Sequence, residues 1–333
     1  MLYVGVDAHK ATAHITVVDE SGAVLRRRQI SSSGAAVHEA LDDLDQPMKA
    51  VVEASYLWGP MYDWLAEIAD EVVLAHPTKV RAIASARIKT DAIDSQVLAH
   101  LLRTNLIPAA HAPSREVRAV KRVLRRRMFL VRLQTMIKNR IQALLTQHVV
   151  ERPKVTDLYG VAGLRWLRQV TLPQPDGNLL HDDLALLGVI RDHIAGTEHM
   201  IATLATHDKV VTWLASLPGI GAFLSVLIRH EVDDMDRFPT AKHFGSYTGL
   251  IPATYASGAR VIHGPLTNHG NKWLRWAFIE AVTAAIRVSS ELRRYYERIK
   301  ARRGAQDART ATARKLAELA WTVWTQRRCY EAR

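Results

Sequence analysis

The sequence predicts an α/β N-terminal domain on a mixed sheet, then long helices that offer coiled-coil faces, then a mainly α C-terminal domain with a helix-hairpin-helix-like segment. Three observations predict this. Before residue 110, short apolar runs alternate with stretches of helical periodicity. From Ser114 onward, apolar residues recur at steps of three and four. Proline and glycine then divide the helical part at Pro153, at Pro173-Gln174-Pro175 and at Leu217-Pro218-Gly219-Ile220-Gly221. The 333 residues suit about two domains and a connector. The expected segments are 1–150, a catalytic domain ending in a basic helix; 151–212, a helical connector; and 213–333, the C-terminal domain.

Strands are expected at Leu2–Asp7, Thr12–Val18 and Val24–Ile30, with Asp19-Glu20-Ser21-Gly22 as the turn between the last two. Ser31–Gly34 opens a helix reaching about Leu44. Lys49–Glu53 is short and almost continuously apolar, as in a strand covered on both faces. A helix from about Tyr56 to Ala69 precedes a buried strand at Val72–Ala75. The pattern from Thr78 to about Thr104 is helical, and Asn105–Pro113 is a break. Val117, Val120, Leu124, Leu130, Leu133, Ile137, Ile141 and Leu144 then mark one long helix, and Leu186 to Leu204 mark a second, over about Asp182–Val211. The Gly219–Gly221 bend between helices is a place where backbone N–H groups meet a phosphate. Tyr247 to Asn271 is Gly-rich with few helix signals, and Lys272 to the end is helical and basic.

Charge narrows the class. Lys and Arg number 45 against 33 Asp and Glu, a formal net charge of +12. The surplus is local: Arg115 to Arg140 holds ten Lys/Arg and one acid, and Arg287 to Arg333 thirteen and five. Arg115, Arg118, Arg122 and Arg125 fall at helical spacing and form one stripe. Such a distribution points to nucleic acid. No apolar run nears the length of a membrane span, and the N-terminus lacks the basic and apolar regions of a signal peptide. The single Cys329 excludes an internal disulfide and any multi-Cys zinc site. A reduced cytoplasmic setting, beside the nucleoid, is expected. No Walker run and no His-x-x-x-His pair with a nearby Glu is present.

Four acids carry the chemistry. Asp7 ends the first strand in Gly5-Val6-Asp7-Ala8-His9-Lys10, and Glu53 ends the fourth in Val52-Glu53-Ala54-Ser55. Asp91 and Asp94 stand three apart in Lys89-Thr90-Asp91-Ala92-Ile93-Asp94, on one helix face. Two carboxylates ~4 Å apart repel by roughly 4 kcal/mol at an effective dielectric of ~20. A hard divalent cation, Mg²⁺ or Mn²⁺, offsets that repulsion, and a pair of such ions stabilises the attacking and leaving oxygens of a phosphodiester. Strand acid, hairpin, strand acid and paired helix acids follow the ordering of ribonuclease-H-like nucleases.

These motifs, together with Leu217-Pro218-Gly219-Ile220-Gly221, Phe244–Pro252, Ala256-Ser257-Gly258 and His269-Gly270-Asn271-Lys272-Trp273-Leu274-Arg275, resemble the DEDD transposases of insertion sequences, the IS one-ten type. The resemblance spans roughly 1–150 and 213–300. It implies a RuvC-like domain with catalytic and metal-binding Asp7, Glu53, Asp91 and Asp94, and a nucleophilic serine in the second domain, matched by Ser257. It departs from the pattern at Ala256, where the family often has another small polar residue. It also implies a structured guide RNA encoded by the element, and DNA as both donor and target. Arg115, Arg118, Arg122, Arg125, Gly219, Gly221, Arg260, Lys272 and Arg275 are the expected nucleic-acid contacts. A homo-oligomer, dimer or tetramer, is expected because two strands are cut on each of two partners. The competing readings are a RuvC-like nuclease that uses water, a sugar-kinase-like ATPase, and a DNA-binding protein without catalysis. The ATPase class follows its first acid with Gly-rich phosphate loops, where this chain has Ala8-His9-Lys10.

Overall fold

The protein is described by a computed structural model over residues 1–84, 90–257, 260–267 and 270–331, with backbone alone for 254–257, 260–263 and 265. It forms two compact units, Met1–Arg115 and Glu116–Arg333.

The first unit is a six-stranded mixed sheet. Strands β1 (Leu2–Ala8), β2 (Thr12–Val18), β3 (Val24–Ser31), β4 (Met48–Glu53), β5 (Glu71–Ala75) and β6 (Ala109–Ala110) lie in the order β3-β2-β1-β4-β5-β6. β1 runs antiparallel to β2 and parallel to β4, and β4 runs parallel to β5. The two-residue alternation of a strand sorts its side chains between two faces. Leu2, Val4, Val6 and Ala8 join Ala13, Ile15 and Val17 under helices α1 (Gly34–Leu41) and α2 (Trp58–Leu65), which contribute Val37, Leu41, Met61 and Leu65. The opposite face carries Val51 and Ala75, and it is covered by Val80 of α3 (Pro77–Ile83) and by Leu98, Leu101 and Leu102 of α4 (Asp91–Arg103). Burial of both faces accounts for the unbroken apolar run Ala50-Val51-Val52. Edge strand β3 is largely exposed and carries Arg26, Arg27 and Arg28, which discourage further strand pairing.

The helical run expected over Thr78–Thr104 is two helices. Thr90 caps the second: its Oγ1 accepts from Ile93 N at 3.3 Å. Lys89 lies outside the described residues. Short β6, inside the expected Asn105–Pro113 break, has too few residues to leave a periodic signal.

In the second unit, α5 (Arg115–Gln147) and α7 (Asp176–Ala205) pack antiparallel. Leu124 shares a core with Ile201, Leu130 meets Ile190 and Ile194, and Ile141 and Leu145 meet Leu180 and Leu187. Ion pairs Arg127–Glu198 (2.7 Å) and Arg140–Asp183 (3.3 Å) run along the seam. α7 begins six residues before the expected Asp182, at a start that follows Pro175. After α6 (Val161–Leu167), the main core of this unit gathers α8 (Lys209–Ala215), α9 (Ala222–Val232), α10 (Ala241–Tyr247), α11 (Lys272–Val288), α12 (Ser290–Arg303) and α13 (Ala305–Thr325) around Phe244 and Phe278. The Gly-rich stretch before α11 forms two antiparallel strands, β7 (Pro252–Ser257) and β8 (Arg260–Leu266). Among the described residues no helix is long and apolar enough to cross a membrane.

Gly5 sets the distance between α4 and the sheet. A Cβ at this position would lie 2.0 Å from Ser95 O and 2.5 Å from Ala99 N, both backbone atoms. Thr16 and Ser95 hydroxyls meet beside it at 2.9 Å, fully buried. Gly5→Ala is therefore expected to push α4 off β1 and cost about 3 kcal/mol, at the upper end of overpacking. Thermal or denaturant unfolding checks this, against Gly188→Ala, where a Cβ meets nothing within 4 Å, as the control.

Candidate active site and a buried carboxylate network

The candidate site lies at the C-terminal ends of parallel β1 and β4, where ligands gather in open α/β sheets. The last printed register pair is Val6–Val52, so Asp7 and Glu53 are the next residues on adjacent strands and share the face that α4 covers. Close seating of α4 on Gly5 brings the first turn of that helix, with Asp91 and Asp94, to the same end. His9 Nε2 lies 3.2 Å from Asp7 Oδ2 and 3.3 Å from Asp91 Oδ1. His14, paired with Asp7 across β1 and β2, places its Nε2 3.7 Å from Asp91 Oδ2.

The electrostatics follow from burial. The Asp7 side chain is 15% exposed and Asp91 50%. Burial pushes the Asp7 carboxyl above its ordinary range; His9 opposes that, while Asp91 and Asp94 push it further up. Asp94 therefore acts on Asp7 electrostatically. Asp7, His9 and Asp91 each offer one ligand atom, all within 4.8 Å of one another. Carboxylate oxygens with one imidazole nitrogen, at a partly open strand end, fit a small divalent cation.

The other expected contacts are dispersed. Arg115 pairs with Asp63 at 2.8 Å and with Glu67 at 3.2 Å inside the first unit. Arg118 is half-buried, while Arg122 is exposed on α5. Gly219, at φ +79°, turns the chain against α11: a Cβ there would lie 2.3 Å from Ala281 O. Gly221 caps α9 and has open space beside it. Ser257 and Arg260 are register partners at the ends of β7 and β8, and their side chains lie outside the described part. Gly258 and His269 are also outside it. Lys272 sits over the Trp273 ring at 5.3 Å, and Arg275 donates to Thr267 O.

One residue beyond the expected set stands out. Glu231 of α9 is 2% exposed. Arg125 approaches it at 3.2 Å and Lys121 at 3.7 Å, both from α5, and Asn271 Nδ2 donates to it at 3.0 Å from the start of α11. Arg125 also lies over the Trp273 ring at 5.3 Å. Burial lowers the Lys121 ammonium from its usual range, and Glu231 opposes that shift. The sequence does carry a signal: Glu231 falls four residues after Leu227 on the apolar stripe of its helix.

Two outcomes follow. Asp7 is ionised at a cost, so in cation-free buffer Asp7→Asn should raise the melting temperature at neutral pH. The sign is fixed by the raised carboxyl: the penalty is absent below the ordinary carboxylate range and appears as pH rises through and above it, so the gain should vanish in acid. Glu231→Ala leaves Lys121 and Arg125 uncompensated and should cost about 3–5 kcal/mol, whereas Glu231→Met with Lys121→Met should cost much less. Melting curves across pH check the first, and chemical denaturation the second.

Comparison with known proteins places the chain in a family. Residues 4–150 match the family model for the DEDD transposases of the IS110 type, and residues 211–297 match the model described as the transposase IS116/IS110/IS902 family. A probable family 20 transposase of Pseudomonas aeruginosa is 25% identical over 98% of each chain. The transposase for insertion sequence element IS1328 of Yersinia enterocolitica is 23% identical, over 97% of this chain and 96% of its own. The transposase for IS1111A of Coxiella burnetii is 22% identical, over 98% of this chain and 90% of its own. The DEDD domain carries a dependence on divalent metal. The chain belongs to the IS110-type DEDD transposases, enzymes that cut and rejoin DNA.

Proposed function

We propose that this chain moves an insertion sequence by cutting and rejoining DNA at a cation site made by Asp7, Glu53, Asp91 and Asp94, with Ser257 as a covalent nucleophile. The observation that carries the reading is the meeting of Asp7 and Asp91 within 3.3 Å of one imidazole nitrogen at the end of β1. Three facts extend it to the other two acids: Glu53 follows the Val6–Val52 register pair, Asp94 shares the first turn of α4, and Asp94 raises the Asp7 carboxyl. Mg²⁺ or Mn²⁺ held there would supply positive charge to the phosphate oxygens.

Ser257 stands at the end of β7, next to Gly258, where a backbone without a Cβ lets a phosphate approach closely. In the proposed step the Ser257 hydroxyl loses its proton to a base as its oxygen attacks phosphorus. A serine–phosphate bond forms, the phosphorus–sugar oxygen bond breaks, and the leaving oxygen takes up a proton. The phosphodiester energy is conserved in the adduct, so a second hydroxyl rejoins the strand without ATP. Arg260, Lys272 and Arg275 stand near in sequence to neutralise the phosphorane.

Arg118, Arg122 and Arg125 on α5, extending the stripe from Arg115, would follow a nucleic-acid backbone. The helix–turn–helix at Gly219 and Gly221 would serve as a helix-hairpin-helix phosphate contact. A structured RNA from the element would guide the complex, as the family resemblance implies, and the basic surplus suits it. The antiparallel α5–α7 pair would act as a coiled coil that joins copies into a dimer or tetramer, near the nucleoid. The functional segments are taken as 1–150, 151–212 and 213–333.

The test is one denaturing gel. With a nicked or modified DNA substrate and divalent cation, the wild type should give a protein–DNA adduct, and Ser257→Ala should bind DNA without forming one. Cation-dependent cleavage by wild type with no adduct would favour the RuvC-like nuclease that uses water.

A further inference from the structure

We propose that His9 is a nitrogen ligand of the cation bound by Asp7 and Asp91, and that this donor tilts the site toward transition ions such as Mn²⁺ relative to Mg²⁺. The proposal rests on the acidic-site reading above and assigns one more residue to it.

The geometry carries it. An octahedral ion with bonds of about 2.1 Å separates neighbouring ligand atoms by about 3.0 Å. His9 Nε2 stands 3.2 Å from Asp7 Oδ2 and 3.3 Å from Asp91 Oδ1, both close to that spacing, and the ligand atoms of the three residues all lie within 4.8 Å of one another. The His9 backbone is fixed on both sides: its N–H donates to Thr12 O at 2.9 Å, and its carbonyl accepts from Ser32 Oγ at 2.8 Å. A ring mounted on this pinned turn, just past β1, needs little further ordering to bind. It is also half exposed, which leaves open coordination positions for water or a phosphate oxygen. His14 approaches the other oxygen of Asp91 and orients that carboxylate from outside this trio.

Ligand chemistry gives the consequence. Mg²⁺ favours oxygen ligands and keeps much of its water, whereas an imidazole nitrogen suits transition ions better. One nitrogen among carboxylates should therefore separate the two ions. The alternative is that His9 only neutralises the two carboxylates and swings out when an ion enters.

Mn²⁺ titration of the full chain, with pulsed electron paramagnetic resonance of the bound ion, tests this without any catalytic readout. Wild type should show ¹⁴N coupling from one directly bound imidazole. His9→Gln should lose that coupling and bind Mn²⁺ about tenfold more weakly, with a much smaller change for Mg²⁺. His14→Gln should keep the coupling. Circular dichroism and melting confirm that the variants are folded. If wild type binds Mn²⁺ in an Asp7-dependent manner without ¹⁴N coupling, or if the coupling persists in His9→Gln, the His9 proposal is overturned and the acidic site stands. If Mn²⁺ binding is absent or unaffected by Asp7→Asn, both are overturned.

Discussion

The approach of α4 to β1 at Gly5 is the constraint on which the first unit and its candidate site depend. Asp7 and Glu53 are fixed by the sheet, because parallel pairing of β1 and β4 sets them side by side. Asp91 and Asp94 come from a helix some eighty residues later and reach the same place only if that helix lies directly on the strand. Any side chain at Gly5 would meet Ser95 O and Ala99 N. The buried Thr16–Ser95 hydroxyl pair fixes the rotation and the sliding of the helix. Thr90 starts it at the residue that puts both acids in its first turn, and the positive end of the helix dipole then faces them. Repulsion among the carboxylates works against this assembly. Burial, and then the charges of Asp91 and Asp94, penalise the ionised form of Asp7, and a cation held there would relieve that cost.

A different device organises the second unit. The ends of β7 and β8 are tied to the helical core by backbone contacts. Thr267 N–H donates to Ile251 O at 3.0 Å, and Asn271 N–H to Tyr247 O at 2.8 Å. Gly270, at φ +113°, lies so close to Gly249 that a Cβ would meet its Cα at 2.8 Å. Asn271 then spends its side chain twice: Oδ1 caps α11, and Nδ2 donates to buried Glu231. The same glutamate receives Lys121 and Arg125 from the basic helix. The network therefore links the arginine stripe of α5 to the start of α11 and the strands that carry Ser257. An apolar cluster of equal volume would stabilise these helices at least as well. A buried ionic network fixes direction as well as distance, which would suit the proposed role of the strand pair in holding Ser257.

Most of the first unit was legible in the sequence, because period-two and period-3.6 patterns are local. Asp7, Glu53, Asp91 and Asp94 could be picked out since each interrupts an apolar pattern at a strand end or a helix start. The end of α3 at Ile83 and the start of α4 at Asp91 were not legible: Thr78 to Thr104 keeps helical periodicity, and the Thr90 cap reveals the start. The β7–β8 pair was read as a Gly-rich stretch, because Gly258, Gly264 and Pro265 outweighed the strand formers Thr254, Tyr255, Val261 and Ile262. Arg115 and Arg125 were read, with Arg118 and Arg122, as one stripe of nucleic-acid contacts. Their partners Asp63, Glu67 and Glu231 are distant in sequence, so periodicity is silent about them. His9 was visible as a neighbour of Asp7, but its equal reach to Asp91 needed the folded distance between β1 and α4.

On the proposed reading, a helix seated on a glycine completes one cation site from acids of two strands and one helix turn. Anomalous diffraction from Mn²⁺-soaked crystals of the full chain tests it most directly. The account predicts a peak bounded by the carboxylates of Asp7 and Asp91, with Glu53 and Asp94 in the same cluster. Peaks confined to other surfaces, with the Asp7–His9–Asp91 contacts intact and no ion between them, would contradict it.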